Sequence, residues 1–219
     1  MLKERLNHLK ELLLTEAALV ENMLKKSIQG LMGKKIDILH EVIEEDEPMV
    51  NGLDIEIDKL STQISALYQP EAKLLRTILM IIKINYDLER VGDHAVNIAQ
   101  SAVDLLPYNF AEVEPIIRQT AEEALKMLQD SLNAFIHEDE KLARDVCQRD
   151  DVVDDLRDEC INRFVDLIKK RPEMSVVFAH LTRIVRSLER VADLATNIAE
   201  NTIFVVKGEI VKHGQDERL

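Results

Sequence analysis

Thirteen residues constrain this chain more than any other feature. LERVGDHAVNIAQ at 88–100 returns as LERVADLATNIAE at 188–200, with nine of thirteen positions identical. Leu88, Glu89, Arg90, Val91, Asp93, Ala95, Asn97, Ile98 and Ala99 each recur one hundred residues later. The surroundings repeat as well. Pro70-Glu71 and Pro172-Glu173 fall at nearly the same offset, and Glu47-x-x-Val50-Asn51-x-Leu53 is echoed by Asp150-x-x-Val153-Asp154-x-Leu156. Self-similarity at a fixed period marks a duplicated supersecondary unit, here about 105 residues long. The expected division is 1–105 and 106–219, two similar units related by a pseudo-twofold axis.

Each unit reads as three long helices. Leu2, Leu6, Leu9, Leu13, Val20, Met23, Leu24 and Ile28 recur at three, four and seven, the spacing of one helical face. Gly30 and Gly33 are expected to end that helix. A second run covers about 36–67, and Pro70 with Glu71 opens a third that reaches about Asp104. The linker Leu-Pro-Tyr-Asn at 106–109 separates the halves. Further runs cover about 110–136 and 138–170, and Pro172 opens one that ends before Gly208. Only 6 Gly and 5 Pro serve 219 residues, too few turn residues for a strand-rich fold. The fold class is all-α: two antiparallel three-helix bundles, six helices each roughly 40–50 Å long at 1.5 Å per residue.

The repeated helices carry carboxylates in register. Glu89, Asp93 and Asn97 stand at i, i+4 and i+8 on one stripe, as do Glu189, Asp193 and Asn197. Glu47, Asn51, Asp54 and Asp58 form a second stripe, and Asp150 and Asp154 are its counterpart. Like charges four apart destabilise a helix by about 0.2–0.5 kcal/mol, so their repetition needs compensation. Oxygen-rich, sulfur-free sets suit Mg²⁺, Ca²⁺ and Mn²⁺ and can hold iron, whereas zinc fits poorly. The bland alternative is a salt-bridged surface, since Arg90 and Arg190 directly follow the two glutamates, or close packing at Ala95, Ala99, Ala195 and Ala199. No His has Glu three residues before it, so the ferritin-type ligand motif is absent, and His94 reads as a polar surface residue.

Charge and composition exclude other classes. With 28 Lys plus Arg against 41 Asp plus Glu, the chain carries −13 and is not built to neutralise a nucleic acid backbone. No apolar run is long enough to span a bilayer, and MLKERLNHLKELLL lacks the pattern of a secretory signal. Cys147 and Cys160, thirteen apart on one predicted helix, cannot pair there, and a reducing cytoplasm is the expected compartment. No nucleophile with an adjacent base and no Gly-rich phosphate loop is present.

The two ExxxD segments followed by Asn, the Val50-Asn51 segment, Gln69-Pro70 with Leu75-Arg76, and the terminal VVKGEIVKH at 205–213 together resemble the PhoU family of phosphate-uptake regulators. The resemblance spans essentially the whole chain. It implies a cytoplasmic protein, often a homodimer, that acts without catalysis as a negative regulator of the Pho regulon. Its implied partners are the ATPase subunit of a phosphate ABC transporter and a phosphate-sensing histidine kinase. It also implies metal binding, including multinuclear iron, at Glu47, Asn51, Glu89, Asp93 and Asn97, and at Asp150, Asp154, Glu189, Asp193 and Asn197. Two departures matter. Pro48 interrupts the first middle-helix motif, and Arg157 and Ile161 stand where the first half has Asp54 and Asp58, so the two sites are expected to be unequal. The competing reading is a phosphohydrolase with a multinuclear carboxylate site.

Overall fold

A computed structural model of the chain describes residues 1–208 and carries six helical rods, two of them interrupted. The end of the 205–213 segment, with His213, lies outside the described residues. Helix α1 spans Leu2–Gly33, α2 Ile36–Glu41, α3 Glu47–Tyr68 and α4 Ala72–Leu105. In the second repeat α5 spans Glu114–His137, α6 Glu140–Gln148, α7 Asp150–Lys170 and α8 Ser175–Lys207. Short connections make consecutive rods antiparallel. Equivalent helices meet across the junction, α4 with α8 and α1 with α5, as a local twofold requires. Ala95, Ala99, Ala195 and Ala199 are fully buried.

The buried faces of the first helices correspond residue by residue. Leu13, Ala17, Met23, Leu24 and Ser27 of α1 match Ile117, Ala121, Met127, Leu128 and Ser131 of α5, all buried. One apolar core therefore runs through both repeats. Three methionines help to fill it: Met23 and Met127 are fully enclosed and Met80 is buried.

Three details of the sequence reading need correction. The run over 36–67 is not one α-helix: a π-helical turn, Val42–Asp46, joins α2 to α3 just before Pro48. Proline has no N–H and its ring crowds the preceding turn, and the wider π turn absorbs the mismatch. It also draws Asp46 inside, where Lys26 Nζ donates to it at 2.8 Å. The run over 138–170 breaks at Arg149, whose guanidinium donates to Glu123 at 2.8 Å and Asp130 at 2.6 Å. Cys147 and Cys160 thus sit on two helices, both as free thiols. Finally, α4 starts at Ala72, with Glu71 as its extended cap residue and Pro70 outside.

Gly30 and Gly33 remain within α1, and Lys34 ends it in the left-handed conformation. Gly30 is there for closeness. A Cβ at that position would stand 2.3 Å from Leu39 Cδ2, in a buried contact. Gly52, mid-helix and exposed, faces open space. Opposite signs are therefore expected in urea denaturation: Gly30→Ala should lose about 1–3 kcal/mol by overpacking, and Gly52→Ala should gain up to about 1 kcal/mol from helix propensity.

Candidate metal centres

Antiparallel α3 and α4 place Glu47 and Asn51 beside Glu89 and Asp93. Asn51 Nδ2 donates to Glu47 Oε1 at 2.7 Å. Burial, and then the charges of Asp93 and Asp54, raise the Glu89 carboxyl above its usual range. Burial and Glu47 do the same to Asp93. Farther along α3, burial and Asp58 raise Asp54, while Asn85 Nδ2, donating to its Oδ1 at 2.5 Å, works the other way. The Arg90 guanidinium lies 5.7 Å from the centre of the Tyr86 ring, and its charge works against the shifts of Glu89 and Asp93. Among the described residues no Lys, Arg or His forms an ion pair with Glu47, Asp54, Asp58, Glu89 or Asp93.

The second repeat brings Asp150, Asp154, Glu189 and Asp193 together in the same way but supplies its own cations. Arg157 Nη1 donates to Asp154 at 2.8 Å and to Glu189 at 2.9 Å, and its Nε reaches Asp158 at 3.0 Å. Arg190 pairs with Asp193 at 2.7 Å, and Thr196 Oγ1 donates to Asp150 at 3.2 Å. Burial and Asp193 raise Glu189, and the two arginines oppose that shift. The two carboxylate groups thus differ in their counter-charges.

The asparagines make their contacts across the junction. Asn97 accepts a hydrogen bond from Arg183 across the junction. Asn197 lines a cleft of about 480 Å³ together with Lys83, the counterpart of Arg183 in the first repeat. Each asparagine stands one helical turn, about 6 Å, beyond Asp93 or Asp193, at the edge that faces the neighbouring repeat. His94 also departs from expectation. It is half-buried with an enclosed Nδ1 that lacks a partner, and burial, then Arg90 and Arg190, lower its pKa against the opposing charge of Asp193.

Sequence reasoning missed Glu16 of α1. Its side chain is fully buried, neither carboxyl oxygen has a partner, and burial together with Asp54, Glu89 and Asp58 pushes its pKa up to about 9. The signal was available: Glu16 interrupts the apolar face formed by Leu9, Leu13, Val20 and Met23.

The donors fit a hard cation in chemistry: the first-repeat group is carboxylate and amide oxygen, dense in negative charge and opposed only at a distance by Arg90. Among the described residues, no three acidic, His or Cys side chains converge closely enough to hold an ion as they stand. Bare carboxylates repel, and a cation would have to draw them inward.

Two copies of a three-rod bundle, joined about a local twofold and carrying carboxylates on equivalent helices, define the class: a tandem-repeat helical protein with hard-donor faces. Residues 13–102 and 117–202 each match the PhoU domain. The chain is 36% identical over 215 residues to the phosphate-specific transport system accessory protein PhoU homolog of Aquifex aeolicus, covering 96% of this chain and 95% of that one. The homolog from Pseudomonas aeruginosa is 33% identical, over 92% of this chain and 83% of its own. Among solved structures, PhoU from Pseudomonas aeruginosa superposes with a TM-score of 0.89 at 31% identity, covering 95% of this chain and all of that one. The phosphate transport system regulatory protein PhoU from Streptococcus pneumoniae gives 0.90 at 26% identity, over 97% of this chain and all of that one. The chain belongs to the PhoU family.

Proposed function

We propose that this protein is a cytoplasmic, non-enzymatic regulator of phosphate uptake. It links the ATPase subunit of a phosphate ABC transporter to a phosphate-sensing histidine kinase and represses the Pho regulon when phosphate is plentiful. Family membership across both repeats carries this reading, since the relatives are named as accessory proteins of phosphate-specific transport. No described helix is long and apolar enough to cross a membrane, so contact with the transporter runs through protein surfaces. The protein acts as a homodimer, each chain divided between Leu105 and Leu106 into its two units.

Metal gives the regulator its chemistry. Glu47, Asn51, Glu89 and Asp93 hold the cation in the first repeat, and Asp150, Asp154, Glu189 and Asp193 form the weaker second site. Iron, manganese, magnesium or calcium suits these oxygens. A bound cation turns a surface that repels phosphate into one that attracts phosphorylated or acidic partner groups.

A deletion strain carrying a phosphate-repressed reporter tests the proposal. Wild-type protein is expected to restore repression, and Glu47→Ala with Asp93→Ala is expected to leave the reporter on. Pull-down from high- and low-phosphate cells should recover the transporter ATPase and the kinase with wild type only. A deletion strain that still represses normally would sink the regulatory role. Turnover of phosphoesters by the metal-loaded protein would favour a hydrolase.

A further inference from the structure

The most unusual group in the molecule is an unpartnered carboxyl in the core. Glu16 is fully buried with both oxygens unsatisfied, and Asn85 on α4, 1% exposed, leaves its Oδ1 unsatisfied as well. Asn85 Nδ2 is committed to Asp54, with a longer approach to Asp58 at 3.4 Å. The charges Glu16 feels are those of Asp54, Asp58 and Glu89. Carboxylates from three helices thus crowd one region, and the Asn85 amide, which serves Asp54 and Asp58, leaves Glu16 without a donor. An ion or a proton has to be there, because an isolated buried carboxylate is not tenable.

The second repeat shows what the same fold does without this arrangement. Glu16 corresponds to Thr120, Asp54 to Arg157, Asp58 to Ile161 and Asn85 to Val185. Thr120 satisfies itself locally on Ile116 O at 2.9 Å, and Val185 is simply core. Only Glu189 keeps its carboxylate, and Arg157 neutralises it. The bundle therefore packs well with Thr, Ile and Val at these positions, and the polar set of the first repeat is an addition to the fold. Where the second repeat places the Arg157 guanidinium, the first places the Asp54 carboxylate.

We propose that the first repeat contains an inner cation site, in which Glu16, Asp54, Asp58, Asn85 and Glu89 supply oxygen donors to one hard divalent cation of the Mg²⁺ or Mn²⁺ kind, at the place Arg157 fills in the second repeat. Asp54 and Asp58 also line the 480 Å³ cleft between α3, α4 and α8, which gives the ion a route from solvent. The site lies inward of the surface group and shares Glu89 with it, so it rests in part on the metal reading above. Glu16 and Asn85 belong to it alone. Occupation ties all three rods of the repeat to one ion.

Titration of the full chain with MnCl₂, followed by calorimetry and by the spin-resonance signal of free Mn²⁺, tests it. Glu16→Thr with Asn85→Val installs the residues that the second repeat already packs, and thermal unfolding in EDTA is expected to show a midpoint at or above wild type. That variant should lose one bound Mn²⁺ per chain, or bind it at least about tenfold more weakly, while ions that depend on Glu47 and Asp93 remain. Asp54→Arg should remove the same ion by supplying its charge. Glu47→Ala with Asp93→Ala should leave the inner ion in place. Unchanged stoichiometry and affinity in the Glu16/Asn85 variant would overturn the inner site and leave the surface reading standing. Absence of Mn²⁺ binding to wild type would overturn both.

Discussion

Replacing Arg157 by Ala is expected to destabilise the protein by about 3 kcal/mol in metal-free buffer, the lower end of what breaking a largely buried charge pair costs. The Arg157 side chain is 23% exposed and that of Glu189 only 11%, so the loss centres on Glu189, left with only the longer 3.4 Å approach of Arg190. Asp154 and Asp158 are far more exposed, and their pairs with Arg157 add little. Arg157→Lys keeps the charge but loses the fork that bridges two carboxylates, and should fall between the two. Added Mn²⁺ should restore part of the alanine variant's stability, because its acidic group would then resemble the first repeat's. Urea denaturation with and without the ion measures both effects. A loss below about 0.5 kcal/mol would mean that the guanidinium is a surface ornament.

The second large effect concerns pH. In EDTA the folded chain holds the Glu16 proton far more tightly than the unfolded chain does, with a carboxyl pushed up to about 9 from an ordinary 4.5. The stability linked to that proton is complete below about 4.5 and is lost as pH rises towards 9. Each unit of pH in that window removes about 1.4 kcal/mol, so from pH 5 to 7.5 the loss is about 3 kcal/mol. Asp54 and Glu89, also raised, titrate in the same sense, and Asp58 faces the same group. Glu16→Gln isolates one contribution: its stability should match wild type near pH 5 and exceed it increasingly above neutrality. Parallel pH profiles for the two proteins would show that Glu16 does not titrate in this window.

Much of this molecule is legible in its sequence, for identifiable reasons. Apolar residues at helical spacing and a scarcity of breakers give six rods, and the repeated LERV segments give their duplication. The substitution of Arg157 for Asp54 is legible in the sequence, and the structure shows its guanidinium among the carboxylates of the second repeat. What escaped the sequence depends on depth and on distance along an axis. Asn97 and Asn197 share a stripe with the acids but are displaced along the helix to the junction. Glu16 looks like one more charge on a soluble helix until its burial is known. The π turn at Val42–Asp46 and the break at Arg149 arise from single residues, which periodicity averages over.

Those two interruptions have a consequence for assembly. A chain made of two near-copies risks docking the wrong halves, with α5 on the first middle rod or α1 on the second. In the first repeat a lysine on the opening helix, Lys26, meets the acid Asp46. In the second, the corresponding positions hold Asp130 and Arg149, with the charges reversed. Exchanged docking would set Asp130 against Asp46 and Lys26 against Arg149, two enclosed repulsions in place of two attractions. The reversal thus acts as an address label, steering each opening helix to its own partner during folding and discouraging two chains from trading arms.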